Sequence, residues 1–198
     1  MSLIRLKNNA LDNLTSFEGS ASLGDMVFIS SAVASASSSI EFTLGDYKEY
    51  KFFFVNMHPA TDDVFFQFNF SSDNGSNYNV TKTTTAFYSF HQESDASSGL
   101  TYWSSGDLAQ STGFQRLTQG TGNNNDECVS GVMQIFNPSS TTFVKHFISN
   151  CCDYTSNDMN TNAYFAGYAN TTSALTNIKF QMSSGNIDDG KILMFGLN

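Results

Sequence analysis

Charge is scarce in this sequence. Lys, Arg, Asp and Glu make up 14% of the 198 residues, where about a quarter is usual. Basic residues are the scarcer kind, nine against eighteen acids, for a formal net charge of −9. That balance argues against nucleic acid as a partner, because phosphates recruit Lys and Arg. Cysteine is equally sparse: three residues, an odd count in a chain that is not small, give no disulfide framework. The adjacent Cys151 and Cys152 would point to opposite faces of a strand, so a bridge between them would strain the backbone. Reduced thiols, and synthesis in a reducing cytoplasm, are expected. No apolar run is long enough to cross a bilayer, and the polar Lys7-Asn8-Asn9 interrupts any signal-peptide core near the start. Membrane insertion is not expected.

What the chain has in quantity is phenylalanine, nineteen residues with eight tyrosines in a composition that is 40% hydrophobic. That is enough to fill a sizeable core. Ser, Thr, Asn and Gln do most of the solubilising in place of charge. Phe, Thr and Tyr favour strands, while Ser, Asn and Gly favour their turns. The Glu, Lys, Ala and Leu excess of helical proteins is missing. The composition points to an all-β domain.

The clearest pattern lies at the C-terminal end. Ile178, Phe180 and Met182 alternate with Lys179, Gln181 and Ser183, the period-two signature of a strand with one buried face. Ser184-Gly185-Asn186 and Asp188-Asp189-Gly190 read as turns, and residues 191–197 as a core strand apolar on both faces. Residues 1–24 read instead as an attachment arm, polar but dotted with Leu3, Ile4, Leu6, Leu11 and Leu14 as docking residues. Between them, strands are predicted at 25–30, 39–44, 48–57, 64–70, 78–91, 130–137, 141–150, 163–170 and 175–182. Phe52-Phe53-Phe54-Val55 reads as buried on both sides, and Asp73-Asn74-Gly75-Ser76-Asn77 as a hairpin turn. Residues 92–110 read as a Ser/Gly loop. With no βαβ alternation, residues 25–198 are expected to form an antiparallel β-sandwich, jelly-roll-like.

Catalytic chemistry finds no foothold. His58, His91 and His146 sit on separate elements without metal-ligand spacing, and no nucleophile elbow or phosphate loop is present. The acid pairs Asp62-Asp63, Asp126-Glu127 and Asp188-Asp189 suit turn capping better than calcium or glycoside hydrolysis. No catalytic residue, metal or cofactor is expected. Tyr102 and Trp103, on the Ser/Gly loop, are the candidate contact for a glycan or a neighbouring subunit: aromatic faces stack on sugars, and they equally anchor loops.

Three segments carry a likeness to a known family. The opening Met1-Ser2-Leu3-Ile4-Arg5-Leu6-Lys7-Asn8-Asn9 is one. Asn56-Met57-His58-Pro59-Ala60-Thr61-Asp62-Asp63 with the Gly75 to Thr85 run is the second. The close Gly185-Asn186-Ile187 and Gly190-Lys191-Ile192-Leu193-Met194-Phe195-Gly196-Leu197 is the third, with Phe195 where Tyr is commoner. Together they resemble small structural proteins of marine tailed bacteriophages. The resemblance implies a non-enzymatic virion surface protein, a capsid decoration or tail-fibre type, made in the host bacterial cytoplasm. It implies other virion proteins, of the capsid or tail, as partners and a homo-oligomer, most simply a trimer. A tail adhesin that reads host glycans through Tyr102 and Trp103 is the alternative.

Overall fold

The computed structural model describes residues 26–198, and these form twelve strands and no helix. In chain order the strands are β1 (Val27–Val33), β2 (Ile40–Thr43), β3 (Glu49–Pro59), β4 (Phe66–Ser71), β5 (Lys82–Gln92) and β6 (Ser98–Tyr102). They continue as β7 (Gln115–Arg116), β8 (Val129–Phe136), β9 (Lys145–Thr155), β10 (Met159–Ala169), β11 (Asn177–Met182) and β12 (Ile187–Leu197). Residues 1–24, with Leu3, Ile4, Leu6, Leu11 and Leu14, lie outside the described residues.

Every pairing is antiparallel. Eight strands form one sheet in the order β1-β12-β3-β8-β9-β10-β5-β6, and four form a second, β2-β11-β4-β7. The two pack as an antiparallel β-sandwich, joined by a lattice of aromatic rings. Val64, Phe66, Phe68 and Phe70 share the buried side, as their alternation predicts. Phe180 of β11 sits at the centre of the lattice, its ring 5.2 Å from Phe54, 5.4 Å from Phe52 and 5.9 Å from Phe66. Phe68 and Phe70 reach Phe147 of β9 at 5.2 and 5.7 Å. Burying each such side chain is worth roughly 1.5–3 kcal/mol, so this seam dominates the fold.

The small sheet covers only part of its larger partner. Beyond it, the inner face of β5 and β10 is closed by the chain that follows β6. Trp103 lies there over Ala86, Ala163 and Phe165, and its amide bonds the Ala86 carbonyl. Gly106 permits that closure, because a Cβ there would stand 2.4 Å from the indole.

Four local expectations need correction. Asp188-Asp189-Gly190 is not a turn but the bulged start of β12: Gly190 has φ +116°, and the register shifts against β3 on either side of Asp189. A Cβ at Gly190 would meet the Asn56 carbonyl at 2.6 Å, so only glycine allows this close strand approach. Residues 73–77 do turn, with Asn74 and Gly75 at positive φ, but they close no hairpin, because β4 and β5 belong to different sheets. The crossover is tied down instead by buried Asn69, which donates to the Tyr78 and Thr112 carbonyls and accepts from Lys82. The loop 92–110 hides an edge strand, β6, paired to β5. Finally, the run at 52–55 is not buried on both sides: Phe52 and Phe54 are, whereas Val55 is exposed.

Candidate functional site

That last correction marks out the site. Side chains on the outer face of the eight-stranded sheet come from the odd positions of β3, the even positions of β8, β9 and β10, and the odd positions of β5. The register lines them up. Leu193 faces Phe53, and Phe53 faces Val132. Val132 faces Asn150, Asn150 faces Tyr164, Tyr164 faces Phe87, and Phe87 faces Tyr102 on the edge strand. A second row runs beside it from Phe28 through Phe195, Lys51, Gln134, Ile148 and Ala166 to Thr85. Val132, Ile148 and Phe87 expose 41%, 47% and 44% of their surface, although they stand on interior strands.

The face is shaped as well as apolar. A groove of about 340 Å³ lies across its middle, walled by Phe87, Val132, Ile148 and Tyr164 with Gln134 and Asn150 among them. Phe87 and Tyr164 stack with centroids 4.9 Å apart and planes within 10°. Asn150 donates to the Asn162 amide oxygen and Asn162 to the Tyr164 hydroxyl, so the amides are held in place by their neighbours. A shallower hollow continues along Thr83, His146 and Tyr168. Charge enters at the edges: Glu49 pairs with Lys51 at 3.7 Å and accepts from Gln134, Lys191 stands on β12, and at the far end Asp107 accepts from Tyr102.

The outside of the small sheet is built the other way. Glu41 and Lys179 pair at 2.8 Å, Tyr78 donates to Glu41, and Lys179 lies 4.2 Å above the Tyr78 ring. Arg116 lies 3.8 Å above Phe65.

Tyr102 and Trp103, adjacent in sequence, point to opposite sides of β6 and so do not form one platform. Tyr102 is 57% exposed at the end of the apolar row, its hydroxyl donating to Asp107. Trp103 is 6% exposed and packs inward at 5.4 Å from both Phe165 and Tyr88, its indole N–H bonded to Ser105. Cys151 and Cys152 also point to opposite faces, one buried and one exposed, and Cys128, Cys151 and Cys152 are free thiols.

The histidines are not brought together. His91 pairs with Asp95 at 2.9 Å, and His146 lies beside Tyr168. His58 opens on a polar hollow with Asn56, Cys128, Asp188 and Asp189, its Nδ1 3.9 Å from Asp188. Among the described residues no group of three or more His, Cys, Asp or Glu is placed to hold a metal ion. Of the acid pairs, Glu127 is buried and accepts from the Asn124 amide, an internal turn cap.

Comparison with protein-family models, with curated proteins and with solved structures found no match to this chain.

Proposed function

We propose that this chain is a non-enzymatic structural protein of a bacteriophage virion, a capsid-decoration or fibre-type surface protein attached through residues 1–24 and working as a homo-oligomer. The segment likenesses at the start, centre and end of the sequence support the virion reading. The observation that carries it is the outer face of the large sheet, a broad apolar surface crossed by pinned amides. Such a surface offers contact area and shape to another protein, and no acid, base or nucleophile sits in its middle to act on a bound molecule.

The test is placement on a particle. Antibody raised against the folded domain should label phage particles at regular positions in electron micrographs, and the chain should appear in the proteome of purified particles. Protein lacking residues 2–24 should stay folded and fail to join them. Absence from purified particles would sink the reading.

One observation favours a second reading, a tail adhesin for host glycans. Exposed Tyr102 and the stacked Phe87–Tyr164 pair lie along one row with Asn150, aromatic faces beside amide donors. On that reading Tyr102→Ala abolishes binding on a glycan array, and Trp103, being buried, is replaced only at the cost of the fold.

A further inference from the structure

We propose that the outer face of the eight-stranded sheet pairs with the same face of a second copy, two-fold and face to face, giving a four-layer stack of small, large, large and small sheets. This inference rests on the homo-oligomer reading above and is tested on the isolated chain, so that its failure leaves placement on the particle to be decided separately.

Area is the first argument. Seven strand spacings at about 4.8 Å make the sheet roughly 34 Å wide. A band of five or six residues along each strand adds roughly 17–20 Å in the other direction. The product, on the order of 600–700 Å² before the relief of side chains is counted, approaches the roughly 800 Å² per partner of a standard stable interface.

Charge is the second. A chain of net charge −9 repels its own copies unless they meet where the acids are absent. Along the two central rows of this face the only ionised side chain is Lys51, which Glu49 already neutralises at 3.7 Å. Apart from Glu49, the acids illustrated by Asp95, Asp188 and Glu41 stand in a loop, in the bulged start of β12 and on the opposite sheet, away from the two central rows. Each copy therefore carries one surface on which a second can sit without charge repulsion.

Symmetry is the third. β8 and β9 are the fourth and fifth strands of eight, so the middle of the face falls between them. Val132 stands opposite Asn150 there, and Gln134 opposite Ile148. A two-fold axis through this point brings apolar side chains and amides of one copy against those of the other. Such an interface is self-complementary and closes at two copies. Two sheet faces meet in this way inside the sandwich already, at the layer spacing of about 10 Å.

The experiment is sedimentation velocity on the purified full chain at tens of micromolar. A dimer is expected, and Val132→Lys should weaken it by roughly a hundredfold or more, because two like charges then meet beside the axis. Circular dichroism checks that the variant is folded. Should it not be, Gln134→Lys puts the same charge at a position that is already polar. Thr85→Lys, at the end of a row, should weaken pairing less than either. A monomer overturns the proposal, as does a trimer, or a dimer that both central lysine variants leave intact. A full chain that pairs only after residues 2–24 are removed also overturns it, by assigning the face to the chain's own N-terminal segment. So does a monomer that is retained on purified particles through Val132, which hands the face to another virion protein.

Discussion

On the outside of the small sheet, Glu41, Lys179 and Tyr78 form a charged and hydrogen-bonded cluster in contact with solvent. On the outside of the large sheet, Val132, Ile148, Tyr164 and Phe87 hold the equivalent outward positions. Both sheets are antiparallel and both bury one face in the same aromatic seam. An antiparallel sheet with one wet face alternates apolar and polar residues. The small sheet keeps that rule and the large one breaks it over most of its width. On the pairing proposed above, the polar face is the one kept for water and the apolar one the one that a second copy covers.

The comparison breaks first, and hardest, on paired aromatic substitutions. Phe180 is fully buried among Phe52, Phe54 and Phe66. Its replacement by Ala should cost about 3–5 kcal/mol, a large part of the stability of any domain this size. Phe53 lies on the outer face, edge-on to Phe195 at 5.5 Å. Phe53→Ala should cost about 1 kcal/mol in the separated chain, mostly the lost aromatic pair. Urea midpoints measured at high dilution decide this. Equal costs for the two rings would mean that the outer face is covered within a single chain.

How much of this the sequence discloses depends on range. Alternation at Val64, Phe66, Phe68 and Phe70 and at Ile178, Phe180 and Met182 names the core directly, because strand geometry maps it to one face. The runs at 52–55 and 191–197 are apolar at both parities, which shows two apolar faces and not what covers the second. Phe53, Val132, Tyr164 and Phe87 lie far apart in the chain, and only the strand order brings them into one row. Buried Asn69 and Lys82 stand where alternation and charge predict solvent, since each is satisfied by a residue from another segment. β6 leaves a faint trace in the Leu100-x-Tyr102 spacing inside a Ser/Gly loop.

A second effect, of intermediate size, sharpens the contrast from the inner side. There the large sheet buries two ionisable side chains, Asp153 and Lys82, away from the aromatic seam. Burial pushes Asp153 up to about 7 from an ordinary 3.8, against the opposing hydroxyl of Thr161 and that of Thr121. A raised carboxyl contributes stability that is fully present below 3.8 and is lost as pH rises through about 7. Burial lowers Lys82 to about 7 from 10.5, so its contribution is present above 10.5 and lost as pH falls through about 7. The two limbs meet near neutrality, where these groups hold the fold at its weakest. Asp153→Asn keeps an acceptor for Thr161 and removes the first limb. Its gain over the unchanged chain should grow by a few kcal/mol between pH 4 and pH 8. Urea midpoints across that range measure it, and a gain independent of pH would show Asp153 to be ionised throughout.

The smallest effect is expected on the polar outer face. Lys179 pairs with Glu41 at 2.8 Å and lies over Tyr78, with 23% and 42% of the two charged side chains exposed. Hydrogen bonds from Lys179 and Tyr78 hold the Glu41 carboxyl below its usual value in spite of burial, which by itself would raise it. Solvent screens such a pair, and ordering two flexible side chains offsets part of the attraction. The cluster still matters to the architecture, because Tyr78 lies on the crossover between the sheets and the Glu41 contact fastens that crossover to β2. Lys179→Ala should therefore cost no more than about 2 kcal/mol, the sum of a solvent-screened ion pair and a cation–π contact at the surface. The cost should shrink in molar salt, because exposed charges are screened within a few ångströms there. Val132→Thr on the other face supplies the contrast: it should leave the stability of the separated chain nearly unchanged at any salt concentration while weakening association. A Lys179→Ala cost of several kcal/mol that persists in salt would place this cluster in a buried setting, and the two outer faces would then no longer differ in kind.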